Sequence, residues 1–595
     1  MFFLNKKITI LYGSQTGNAQ DLAERIWRES KRFYFQSSVS TLNEYDVSQI
    51  AQENCLIIVC STTGQGDEPE NMKKFWKLLL RRSLPSDLLS DVRFAILGLG
   101  DSSYTKFNFV AKRLYKRILN LGGEPILPIG LADDQHDLGY DAIADPWIEN
   151  LWLKLTETYP LPHGIEPLPK NLPILPRWNI EKDGKLLKIN NINKNHSLYY
   201  STRANNEFCT VVLDNVRQTD LHHFQDVRLI KFQCDFQEYK PGDLLVLRPR
   251  NLVWKINEFK SVLEENGVDI PDHTIIKLIE NNQKVPVPEV LKAEVTFQQL
   301  CEEYFDLFSI PRRTVFQVLS QITDSELERE KCLEFTSAEG QEEMYSYTNR
   351  PKRNIVEVLR DFPHATKNIT LETLFEIIPS IKPREFSIAS SFKVHKHELH
   401  LLVAVVKYKT NLIKERFGLC SNFLSDLISG DRISVWLKPG FFKFPKDLSV
   451  PVILVGPGTG VAPFRSYIYE MTAGECSPEN LILFYGSRYK DKDFIIKDDV
   501  EKWVNKVSVI CAFSREQEHK IYVQDKIREH GELVWRALEK KGYVFIAGNS
   551  KNMPQAVRES FINVCEKWGN LSNTEAVRFI EVMEKENRYQ TECWS

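Results

Sequence analysis

Six residues after the first apolar run, Ser14, Gln15, Thr16, Gly17, Asn18 and Ala19, combine hydroxyls and a glycine with the start of a helical pattern. Such a turn offers hydroxyls and free backbone N–H groups to an anion, and phosphate is its natural ligand. No lysine follows as in a Walker loop, which disfavours phosphoryl transfer. Alone, the turn is equally an ordinary capped helix start. Two further loops follow later apolar runs. One holds Ser61, Thr62, Thr63 and Gly64; the other runs through Leu99, Gly100, Asp101, Ser102, Ser103, Tyr104, Thr105, Lys106, Phe107 and Asn108. Their glycines allow backbone to approach a flat ring, and Tyr104 and Phe107 offer faces for stacking, although Phe107 also suits a core position.

A second set lies in the other half of the chain. Arg384, Glu385, Phe386 and Ser387 begin an extended segment, and Gly418, Leu419, Cys420 and Ser421 open a helix that could supply N–H donors to a pyrophosphate. The run Gly456, Pro457, Gly458, Thr459, Gly460 forms a tight strand-to-helix turn suited to a dinucleotide. Ser514, Arg515, Lys520, Ile521, Tyr522, Val523 and Gln524 then gather hydroxyl and cationic groups beyond another strand, a combination that suits a 2′-phosphate. Glu516 and Glu518 blur that preference, since acids there favour a free ribose hydroxyl. The plain alternatives are a barrel strand, a helix cap and a solvated loop.

The elements needed to position these residues are legible from periodicity. The runs ITILYGS, CLIIVCST, RFAILGLG and PILPIGLA each end in a loop and precede a helical pattern, the signature of a parallel α/β sheet over residues 6–155. Prolines from Pro160 to Pro176 then interrupt regular structure, and residues 156–204 read as a semi-rigid linker. Residues 205–446 read as an antiparallel β-barrel with a helical insertion at about 251–380. Parallel βα alternation resumes over 447–595. The expected class is therefore multidomain α/β.

Composition sets the outer limits. A 595-residue chain with 42% hydrophobic and 26% charged residues exceeds one ordinary core but is globular in character. A net charge of −3 gives no global attraction to nucleic acid. Eleven cysteines without a CxxC pair fit neither a disulfide framework nor a thiolate metal cluster, so no metal site is expected. The absence of a signal-peptide core and of a run of about 18 apolar residues leads to the expectation of a cytoplasmic protein without a membrane anchor.

The three early loops together resemble a flavodoxin-like FMN domain, in which Asp134 matches a fourth position near the ribityl chain. The REFS segment resembles the R-x-Y/F-S motif of ferredoxin-reductase-like FAD domains. There the arginine holds pyrophosphate, the aromatic packs on the flavin and the serine sits near its reactive nitrogen. With the GPGTG and SREQEHKIYVQ segments, nearly the whole chain resembles the cytochrome P-450 reductase-like diflavin reductase family. That resemblance implies FMN, FAD and NADPH as cofactors and a catalytic group of Ser387, Glu592 and Trp594, with Trp594 as the gate over the flavin face. Ala547 stands where a cysteine is found, and Ala556 where an aspartate is found, in cytochrome P-450 reductases. Within the family the chain most resembles the branch serving cytosolic iron–sulfur protein assembly, which implies an anamorsin-like iron–sulfur protein as electron acceptor. The alternatives are another haem or flavin acceptor, such as a P-450 or methionine synthase, or a non-catalytic partner-binding scaffold. Residues 118–153 carry Glu124, Asp133, Asp134, Asp137, Asp141, Asp145 and Glu149 without Lys or Arg, which reads equally as an acidic docking face or as a plain solvated face.

Overall fold

A computed structural model describes residues 7–64, 66–104, 106–169, 173–181, 198, 207–235, 238–281, 285–447, 449–474 and 480–594. The chain divides into two compact units. The first comprises Met1–Thr202, Asn251–Lys382 and Thr410–Lys414, and the second Arg203–Arg250, Pro383–Lys409 and Glu415–Ser595.

In the first unit, β1 (Lys7–Gly13), β2 (Gln36–Thr41), β3 (Cys55–Ser61), β4 (Arg93–Gly100), β5 (Glu124–Pro125) and β6 (Gly130–Asp133) form a parallel sheet ordered β2-β1-β3-β4-β5, with β6 also paired to β4. Strand β3 is buried from Cys55 to Cys60, so its near-unbroken apolar run lies between two helical layers. One layer includes α1 (Asn18–Ser30), which turns Leu22, Ala23, Ile26 and Trp27 inward, and α4 (Asp141–Thr158); the other includes α2 (Lys73–Leu79) and α3 (Phe109–Asn120). This doubly wound order puts the strand ends that carry the early loops along one edge.

The insertion is helical from Val253–Glu265 to Leu371–Ile377, and its apolar residues belong to one continuous core with the α1 side of the sheet. The proline-rich stretch is not wholly irregular. Trp178–Ile180 forms a strand antiparallel to Leu278–Glu280, and the Trp178 indole donates to the Val285 carbonyl at 3.1 Å.

In the second unit, six antiparallel strands are ordered 384–387, 244–247, 432–438, 208–217, 227–233 and 398–404. A five-stranded parallel sheet follows, in the order 508–513, 481–487, 452–455, 543–549 and 589–594. Helix Ala462–Thr472 ties this sheet to the barrel. The Arg465 guanidinium makes two hydrogen bonds to Asp499, at 2.7 and 2.9 Å, and another to the Ala389 carbonyl at 2.6 Å. Among the described residues, no helix is long and apolar enough to cross a membrane and no cluster could hold a metal ion.

Candidate functional site

The early loops converge at the carboxyl edge of the first sheet. Gly17 has φ 97° and caps α1, a left-handed conformation that glycine adopts without strain. Its N–H donates to Ser14 Oγ at 3.0 Å, while the Ser14 N–H donates to Asn71 Oδ1 at 2.9 Å. Ser61 and Leu99 are register partners, and the Thr62 N–H donates to the Leu99 carbonyl at 2.9 Å. Thr62 Oγ1 accepts from the Val110 N–H, fixing the second loop against α3. Thr63 and Gly64 make a tight turn in which the Thr63 N–H donates to the Asp67 carbonyl at 2.9 Å.

The third loop is held from below. The buried Asn108 amide donates to the Ala132 carbonyl at 2.9 Å, and a β-carbon on Gly100 would lie 2.9 Å from the Asn108 nitrogen. Asp101 accepts from the Ser103 N–H, and Asp133 accepts from the Ser102 N–H. The Asp134 N–H donates to the Gly100 carbonyl, which brings the fourth predicted position beside the third loop. Tyr104 and Phe107 are partly exposed, and Lys112 Nζ lies 5.1 Å from the Phe107 ring centre. Gln15, Thr16 and Lys106 lie in the same loops and Asn18 and Ala19 open α1, whereas Thr105 falls outside the described residues. This edge, closely approached by backbone and rich in N–H and hydroxyl groups, fits a flavin mononucleotide.

In the second unit Arg384–Ser387 is an edge strand, with Ser387 opposite Leu244 and Phe386 opposite Leu245. Arg384 is exposed, and Glu385 pairs with Lys438 at 2.7 Å. Helix Leu419–Asp426 begins at Gly418, where a β-carbon would come within 2.8 Å of Val406. Ser421 Oγ accepts from the Val406 N–H at 3.0 Å, and burial pushes the Cys420 thiol up to about 12, with Arg384 acting in the opposite direction. A guanidinium together with a helix N-terminus is a set of donors that fits a pyrophosphate.

Thr459 lies in the short helical turn Gly458–Val461, and a β-carbon on Gly460 would stand 2.2 Å from the Ala547 carbonyl oxygen. Ala547 is the register partner of Glu592, and Asn549 that of Trp594. Two of the three residues assigned to the catalytic group thus lie on the last strand, beside the strand whose Ala547 touches the GPGTG turn. Trp594 is 39% exposed. The Lys443 N–H donates to Gln590 Oε1 at 2.9 Å, tying this strand to the chain just beyond Lys438, which pairs with the Leu244 that faces Ser387.

Ser514 is buried and its N–H donates to the Ser487 carbonyl, while the Arg515 N–H donates to the Arg488 carbonyl. Arg515, Lys520 and Tyr522 are exposed beyond the strand end, with Ile521, Val523 and Gln524 leading into helix Val523–Glu529. The Glu516 carboxylate accepts from the Lys490 N–H at 2.8 Å. A cationic cluster of this kind fits a 2′-phosphate.

Three family models match in order: flavodoxin over residues 10–147, FAD binding domain over 204–423, and oxidoreductase NAD-binding domain over 454–559. A protein named NADPH-dependent diflavin oxidoreductase 1 from Xenopus laevis is 44% identical over 99% of this chain and 100% of its own. Those from Mus musculus and Schizosaccharomyces pombe are 42% and 33% identical, each across at least 99% of both chains. The chain belongs to the NADPH-dependent diflavin oxidoreductase family. It is an NADPH-dependent flavoprotein oxidoreductase whose cofactors are FMN, FAD and NADPH.

Sequence reasoning for this diflavin oxidoreductase went astray on the acidic stretch. Asp133, Asp134 and Asp137 do lie on the loop side, but Asp145 is buried and accepts from Arg25 at 2.5 Å and Arg313 at 2.7 Å. Asp141 is only half-exposed, and burial raises its carboxyl to about 6 against the pull of Arg313. Asp145 therefore drops out of the docking face, whereas Glu124, Asp134, Asp137 and Glu149 are exposed. The raised value lies above the unfolded one of 3.8, so Asp141 penalises folding once ionised: stability falls as pH climbs from about 4 to 6 and stays lower above it. Asp141→Asn is expected to gain about 1–2 kcal/mol at pH 7.5 and almost nothing at pH 4, read from urea midpoints of the FMN-loaded protein.

Residues missed from sequence include Arg488, whose carbonyl supports Arg515, and Arg312, whose guanidinium donates to the Thr16 carbonyl and to Asn18 Oδ1. Arg488 follows the strand Leu481–Ser487 and was open to the same strand-end reasoning as Ser514. No local signal marks Arg312.

Proposed function

We propose that this diflavin oxidoreductase passes electrons from NADPH through FAD and FMN to an anamorsin-like iron–sulfur protein, in cytosolic iron–sulfur cluster assembly. The observation that carries this acceptor class is the exposed acidic rim formed by Asp134 and Asp137 beside the loops that fit FMN, which suits a charge-steered protein partner. In this reading residues 6–155 hold FMN, residues 205–446 hold FAD and residues 447–595 hold NADPH, with 156–204 as connection. Arg384 and the start of helix Leu419–Asp426 hold the FAD pyrophosphate, Phe386 packs on its ring, and Ser387 orients the transfer. Glu592 supplies negative charge beside the nicotinamide, and Trp594 covers the flavin face until the nicotinamide displaces it. The alanine at 547 leaves Ser387 and Glu592 to carry the polar contribution.

Stopped-flow mixing with NADPH, followed by reconstituted anamorsin, a P-450 or methionine synthase, tests the acceptor. The iron–sulfur protein is expected to be reduced at least tenfold faster than the others, with a rate that falls as salt is raised. Comparable rates for all three would overturn the acceptor assignment, and flavin that stays oxidised with NADPH would favour a scaffold.

A further inference from the structure

The helical insertion reaches the loop that begins α1. A β-carbon on Gly17 would lie 3.1 Å from Arg312 Nη2, 3.5 Å from Arg312 Nη1 and 3.7 Å from Lys382 Cε. Among the described residues Arg312 donates from Nη2 only, to the Thr16 carbonyl at 3.3 Å and Asn18 Oδ1 at 3.0 Å, so its other N–H groups are left for a ligand. The next residues are committed to the same interface: Arg313 pairs with Asp145, and Thr314 bonds Asp21 and Arg28. Nearby Arg177 is matched by Glu24 and Glu376.

We propose that Arg312 is a ligand of the FMN phosphate, supplied by the helical insertion to a loop of the flavodoxin-like fold, with Lys382 as its second cation. The proposal rests on the reading that residues 14–19 receive that phosphate. Two guanidinium N–H groups beside the N-terminus of α1 match the bidentate geometry that phosphate favours, and they add charge where the loop itself has no lysine. Burial, then the charge of the neighbouring Arg312, push the Lys382 ammonium down to about 8 despite Glu24. A bound phosphate relieves that repulsion.

Full-length protein stripped of FMN is titrated with FMN and with riboflavin, which has the same ring system and no phosphate. Arg312→Gln is expected to raise the Kd for FMN at least tenfold while riboflavin changes less than twofold and bound FAD is retained. Arg313→Gln, which breaks the Asp145 pair at the same interface, is expected to leave FMN binding within twofold. Arg312→Gln binding FMN as the parent does, losing riboflavin equally, or being matched by Arg313→Gln, would overturn the role of Arg312. A parent that binds FMN no tighter than riboflavin would instead refute the phosphate assignment of residues 14–19.

Discussion

Replacing Arg515 and Lys520 together by alanine is expected to raise the KM for NADPH by about 10²–10³, while constants for NADH change less than threefold. Both side chains are exposed beyond strand Ser508–Phe513, next to the buried Ser514, so they are free to close on a phosphate without rebuilding the sheet. A charge-assisted hydrogen bond contributes roughly 1.5–3 kcal/mol, and loss of two at the lower end gives two to three orders of magnitude. NADH lacks the phosphate and does not report the change. Steady-state kinetics with both nucleotides provides the check, and parallel losses for NADPH and NADH would place these cations outside the 2′-phosphate site.

Arg465→Met is expected to destabilise the second unit by about 3–5 kcal/mol, because it leaves the Asp499 carboxylate buried without its main partner. Tyr469 still donates to Asp499 at 2.5 Å, but a phenol does not cancel a charge. Adding Asp499→Asn is expected to recover part of the loss. The measure is the urea midpoint for FAD release, lowered by about 1 M in the single variant.

The same network sets an acid limit. His400 accepts from Arg465 at Nδ1 and donates from Nε2 to Glu398, which holds the ring in one neutral tautomer. Burial, then the Arg465 charge, lowers His400 to about 2, and the same two causes lower His395 to about 4. Both values lie below the unfolded value of 6.5, so the unfolded chain takes up protons that the folded chain refuses. Stability is retained above pH 6.5 and falls below it, by up to about 1.4 kcal/mol per unit for each histidine until its folded value is reached.

The sequence by itself determined which segments become strands, because apolar runs such as CLIIVCS and PVILV can be covered only between two layers. It also determined that the hydroxyl- and glycine-rich loops open at the carboxyl ends of those strands, since each loop directly follows its run. The insertion showed itself by a change of period. These are local properties, carried by neighbours in the chain.

Only the tertiary structure decided what meets across long separations. Arg312 and Asn18 are 294 residues apart, and nothing in either neighbourhood encodes their hydrogen bond. The acids after β6 have the same composition whether they face water or protein, yet packing buries Asp145 between Arg25 and Arg313 and leaves Asp137 exposed. Register likewise set Glu592 beside Ala547, because the pairing of two parallel strands is fixed by how their buried side chains pack and not by either strand alone.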